Sequence, residues 1–90
     1  MKKTIWKYAL QIGTNKISMP FGAQILTAQI QNGELCIWCI VNGIAEEKDE
    51  NRHIEVFGTG HPLPAKADVS DWIATVQYGN FVFHVFEFAK

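Results

Sequence analysis

The sequence predicts a small all-β fold, an antiparallel barrel or sandwich of six to seven strands with at most one short helix. Three observations carry this. Apolar residues recur every second position over short runs, the period of a half-buried strand. Tight-turn pairs, Asn32-Gly33 and Gly79-Asn80, separate several of the runs at hairpin spacing. The chain has 90 residues, enough for one core, so residues 1–90 are read as a single β domain.

The elements follow in order. Thr4 to Ile12 alternates, with Trp6, Tyr8, Leu10 and Ile12 on one face and Lys7, Ala9 and Gln11 on the other. Gly13-Thr14-Asn15-Lys16 is a turn signal, Ile17 to Met19 a brief extended piece, and Pro20-Phe21-Gly22 a bend. Ala23 to Gln31 is the next strand. After Asn32-Gly33, which suits a type I′ turn, the return strand Glu34 to Val41 is apolar on both faces. Asn42-Gly43 opens a polar loop to about Asn51, and Arg52 to Phe57 is a shorter strand. Beyond a glycine-proline loop at 58–64, the capping types Asp68, Ser70 and Asp71 predict one or two helical turns within Ala65 to Trp72. Ile73 to Tyr78 and Phe81 to Phe88 form a final hairpin, whose second strand carries aromatics on both faces. Strands apolar on both faces need cover on both sides, and in so short a chain a second copy is expected to provide it. A homo-oligomer is therefore predicted.

Composition excludes several classes. The formal net charge is −1 and the basic residues are scattered, so no cationic stripe for nucleic acid is present. The acidic stretch Glu46-Glu47-Lys48-Asp49-Glu50 reads as a solvated loop. No apolar run of signal-peptide or membrane length follows Met1-Lys2-Lys3, and two cysteines make no disulfide framework, so no membrane association and a cytoplasmic location are expected.

Cys36-Ile37-Trp38-Cys39 has redox-motif spacing, but an odd offset within a strand sends the two thiols to opposite faces. They are read as buried structural cysteines. With only His53, His61 and His84 besides, no metal site is assigned, and no cofactor. His84, between Phe83 and Val85, reads as a core or interface histidine satisfied by a hydrogen bond. The stretch Gly58-Thr59-Gly60-His61-Pro62-Leu63-Pro64 crowds bare amides, a hydroxyl and an imidazole together. Successive amides around glycines can form a concave donor cluster for phosphate or carboxylate oxygens. It lacks the spacing and lysine of a P-loop, so nucleotide hydrolysis is not implied. The expected ligand-binding set is Gly58, Thr59, Gly60 and His61, with Arg52 neutralising an anion and Trp72 or Tyr78 stacking on a flat group.

Several pieces together resemble a family of small uncharacterised proteins encoded by tailed phages and prophages. They are Lys7-Tyr8-x-Leu10, Pro20-x-Gly22-Ala23-x-Ile25-Leu26, Gln31-Asn32-Gly33 with Trp38, the heptad Gly58 to Pro64, Thr75-Val76-Gln77 and His84-Val85-Phe86. The heptad, a G-T-G-H-P-[IL]-P motif, is the most specific. The resemblance implies phage origin, hence the host cytoplasm, and carries no catalytic residues with it. The function expected is a non-enzymatic accessory binding protein that sequesters a small anionic or nucleotide-derived ligand in an oligomer pocket and so acts against a host system. One alternative is an inhibitor docking on a host defence protein. The other is a small enzyme with His61 as acid or base, oriented by Asp68 or Asp71.

Overall fold

A computed structural model describes residues 2–42 and 48–89. Among these residues seven strands run in the order β1 (Lys3–Ala9), β2 (Gly13–Pro20), β3 (Gln24–Gln31), β4 (Glu34–Asn42), β5 (Asp49–Gly58), β6 (Trp72–Tyr78) and β7 (Phe81–Phe88). They form two antiparallel sheets, β1-β4-β3 and β2-β5-β7-β6. The expected all-β fold is present as an open sandwich, with no closed barrel. Its least dimension is 18 Å, the depth of two sheets about 10 Å apart with their outer side chains.

The inner faces supply the core. Leu35, Ile37, Cys39 and Val41 of β4 meet Ile54 and Val56 of β5 and Phe83 and Val85 of β7, with Met19 and Ala28 closing the sides. These are the alternate positions of each strand, as the two-residue period requires. At one end an ion pair spans the inner face. Arg52 donates from Nε and Nη2 to both carboxylate oxygens of Glu87 and from Nη1 to the Ala23 carbonyl at 2.7 Å. The planar fork of arginine matches a carboxylate, so this contact ties β5 to β7 and to the bend before β3.

The turns explain the register. Asn32 and Gly33 both have positive φ, 51° and 78°, the type I′ geometry that joins β3 to β4 without splaying them. Gly79, at φ 60°, alone takes the positive position between β6 and β7, which suits a type II′ turn. The Gly13–Lys16 turn signal is corrected. Those residues belong to β2, paired with Val56 to His53. Asn15 is buried, and its side chain accepts from the Gln11 amide and donates to the Gln11 carbonyl, both at 2.9 Å. A turn-type residue thus closes the preceding bend from inside a strand. The first strand ends at Ala9 rather than Ile12, and the Pro20 bend is the end of an eight-residue strand. The polar loop expected from Asn42 to Asn51, with Glu46 and Glu47, falls largely outside the described residues; its far end is strand, since β5 begins at Asp49. The helix expected in Ala65 to Trp72 reduces to a single 3-10 turn, Val69–Asp71.

The two sheets meet along one corner. β3 and β6 run beside one another without a ladder. Both carry register shifts, at Ile25/Thr27 and Trp72/Ala74. Bulges bend an edge out of line, which keeps this corner open and the barrel unclosed.

Cover of the two-faced strands departs from expectation. The outer face of β7 bears His84, Phe86 and Phe88, and the last two are buried by this chain alone. Phe57 packs edge-on against both rings, at 5.9 and 6.3 Å, and the Lys66 ammonium lies 5.0 Å from the Phe88 ring. The segment from Thr59 to Asp71 folds back over this face. The inference that a second copy must seal β7 is thereby corrected.

Candidate functional site

The heptad forms the near end of that overlying segment. Gly58, Thr59, Gly60 and His61 make a turn in which the His61 amide donates to the Gly58 carbonyl at 3.1 Å and Gly60 sits at φ 88°. Positive φ at the third turn residue is the type II requirement for glycine. Gly58 is needed for a different reason. A Cβ there would lie 3.1 Å from His61 Nδ1, because the imidazole rests on the bare backbone.

The anion cradle expected from these amides does not form as drawn. The Thr59 amide donates to the Val82 carbonyl at 3.2 Å and the His61 amide is spent within the turn. What converges instead is a chain of side chains on the outer face of β6 and β7. The Trp72 indole Nε1–H donates to Thr75 Oγ1 at 3.0 Å. Thr75 Oγ1 lies 3.0 Å from His84 Nδ1, and Thr59 Oγ1 lies 2.6 Å from His84 Nε2. With the indole already donating to Thr75, one consistent proton order is Thr75 hydroxyl to Nδ1 and Nε2–H to Thr59.

Beside this chain lies an open groove of about 480 Å³, lined by Leu63, Ala67, Asp68, Val69, Trp72 and Phe86. Its far wall is held by a reciprocal cap. Asp68 Oδ2 accepts from the Ser70 amide and hydroxyl at 3.0 and 2.7 Å, and Asp71 Oδ2 accepts from the Asp68 amide at 3.1 Å. The Ser70 hydrogen bonds, hydroxyl first, hold the Asp68 carboxyl below its ordinary value, so the groove's one charged wall is an anion.

Of the residues expected to bind ligand, Thr59 and Trp72 come together through His84. Gly58, Gly60 and His61 shape the adjoining turn. Arg52 and Tyr78 lie elsewhere. Arg52 is on the inner face, committed to Glu87, and that contact raises the pKa of its guanidinium. Tyr78 is at the far end of β6 and donates its hydroxyl to the Gly33 carbonyl. His84 is the hub, and sequence reading leaves it outside the ligand-binding set, favouring a satisfied core or interface histidine over a ligand or proton-transfer group. The signal was available, because a two-residue hairpin at Gly79-Asn80 puts Thr75 directly opposite His84.

Cys36 and Cys39 are both buried, on opposite faces of β4; burial pushes the Cys39 thiol up. Among the described residues no three His, Cys, Asp or Glu gather as metal ligands, and no helix is long and apolar enough to cross a membrane. No curated protein and no solved structure matches the chain. One family model does match, over residues 1–90, and the chain therefore belongs to the family described as domain of unknown function DUF7352.

Proposed function

We propose that the protein is a non-enzymatic binding module whose working surface is the groove over the outer face of β6 and β7. The observation that carries this is the adjacency of an apolar trough to a hydrogen-bonding chain, Trp72–Thr75–His84–Thr59. Pockets that hold small molecules pair apolar walls with a few placed polar groups. The occupant is a small flat apolar molecule that packs on Trp72 and Phe86 and offers one donor to Asp68, with His84 holding the Trp72 indole in place through Thr75. The anionic ligand expected from sequence finds less support, since the charged wall is a carboxylate and Arg52 is on the opposite face. The host-directed role of a phage-encoded accessory protein belongs with this reading, because sequestration needs affinity and no turnover.

The test is a fragment screen by NMR, read on the Trp72 indole N–H, one of three such signals in the chain. Flat heteroaromatic amides should shift that signal and raise the melting temperature, and Trp72→Ala and His84→Ala should each abolish both effects. Fragments that bind only elsewhere, or none at all, contradict the proposal.

One observation favours a catalytic alternative. A hydroxyl 2.6 Å from an imidazole nitrogen, with a second group on the other nitrogen, is the pattern of an activated nucleophile in the opposite tautomer, where Nε2 accepts the Thr59 proton. The orienting group here is neutral Thr75, and the neighbouring Thr59 and His61 amides are already bonded, so neither is free to stabilise an oxyanion. Turnover of a groove-binding ester, lost in Thr59→Val, would select this alternative.

A further inference from the structure

We infer that two copies of the chain associate through β1, edge to edge and antiparallel, extending β1-β4-β3 into one continuous sheet across a two-fold axis. This is independent of the groove, which lies on the other sheet.

Among the described residues β1 has one hydrogen-bonded neighbour, β4, so its other edge presents unpaired backbone donors and acceptors. The other sheet edges are blunted. β3 and β6 are bulged and turned toward one another, and β2 ends in Pro20 and buries its larger apolar side chain, Met19. β1 is unbulged over seven paired residues, yet Ile5 is 58% and Trp6 45% exposed. A regular edge with exposed large apolar side chains is a template for another strand. Lysine is the usual guard of such an edge, but Lys7 lies on the outer face of its own sheet, opposite Trp38, and its ammonium reaches back across β4 to Gln31 Oε1 at 2.8 Å.

The sequence of β1 selects a second copy as that strand. An antiparallel two-fold pair keeps outer faces on the same side, so each residue must meet one of the same parity. Centring on Ile5 sets Lys3 against Lys7, and centring on Lys7 sets Lys7 against itself. Centring on Trp6 pairs Lys3 with Ala9, Thr4 with Tyr8, Ile5 with Lys7 and Trp6 with Trp6. This register uses the whole strand, sets no like charges opposite one another and stacks two indoles at the axis.

The test is sedimentation of the full chain without added ligand over a concentration series, with wild type, Ile5→Lys and Ile5→Glu compared. Both variants remove the same side chain, but in this register one places Lys and the other Glu opposite Lys7 of the second copy. Wild type should approach twice 10.2 kDa as concentration rises. Ile5→Lys should dissociate about tenfold more readily than Ile5→Glu, from two charge pairs per dimer. Circular dichroism confirms that each variant is folded. Trp6→Cys gives a second readout, since its thiols meet at the axis and should cross-link on oxidation, while Cys36 and Cys39 are buried. A wild type that stays monomeric throughout, or equal effects of Lys and Glu with no Trp6→Cys cross-link, overturns the inference.

Discussion

β4 and β7 are the two strands apolar on both faces, and the fold treats them differently. The outer face of β7 is roofed by the chain's own 59–71 segment, with Phe86 and Phe88 buried beneath it. Among the described residues no segment roofs the outer face of β4 in this way. Trp38 and Ile40 stay half-buried, sheltered by cross-strand neighbours such as Lys7, Ile5 and Thr27. The same sequence pattern therefore has two solutions. A returning loop buries side chains and creates a groove; flanking strands shelter them partly and leave an open edge.

The comparison can be broken by truncation. Phe86→Ala removes a ring from beneath the roof and should cost about 3–4 kcal/mol in denaturant unfolding. Trp38→Ala, on the unroofed face, should cost less, about 2 kcal/mol, since part of that residue is already exposed to water. Equal costs would erase the distinction. The roof's hinge is a finer test. Gly60→Ala forces a side chain into positive φ and should cost about 1 kcal/mol, with faster hydrogen exchange of the Thr59 and His61 amides showing a loosened segment. The smallest effect is acid sensitivity of the cap at Asp68. Its carboxyl is depressed in the folded state, so the cap's contribution is present above the ordinary aspartate value of 3.8 and lost as pH falls through the depressed one. The Ser70 amide resonance should hold steady near neutrality and move only in acid.

Much of this was legible. The alternation located every strand except the first half of β2 and the start of β5 at Asp49 to Asn51, and Asn32-Gly33 and Gly79-Asn80 set two hairpins in register. Residues 13–16 were misread because Asn15 is a turn former by type, while here it satisfies the adjacent bend from inside the sheet. The capping residues at 68–71 were legible but not the length they cap, because Pro62 and Pro64 and the docking of the segment on Phe86 leave room for one 3-10 turn. The heptad was legible as a special loop, yet its glycines serve a turn and the seat of an imidazole rather than an open amide cradle. Arg52 is expected beside the ligand as the neutralising cation; strand parity puts it on the inner face, where Glu87 is the partner to look for. Which two-faced strand the loop would roof depends on long-range packing that no local pattern encodes.

The most direct test of the contrast between β7 and the edge at β1 is residue-resolved amide exchange at low and high protein concentration. The account predicts that β7 amides exchange only by global unfolding at both concentrations, while the outward amides of β1 gain protection as concentration rises. Protection of β7 that depends on concentration, or β1 amides equally slow at every dilution, would contradict it.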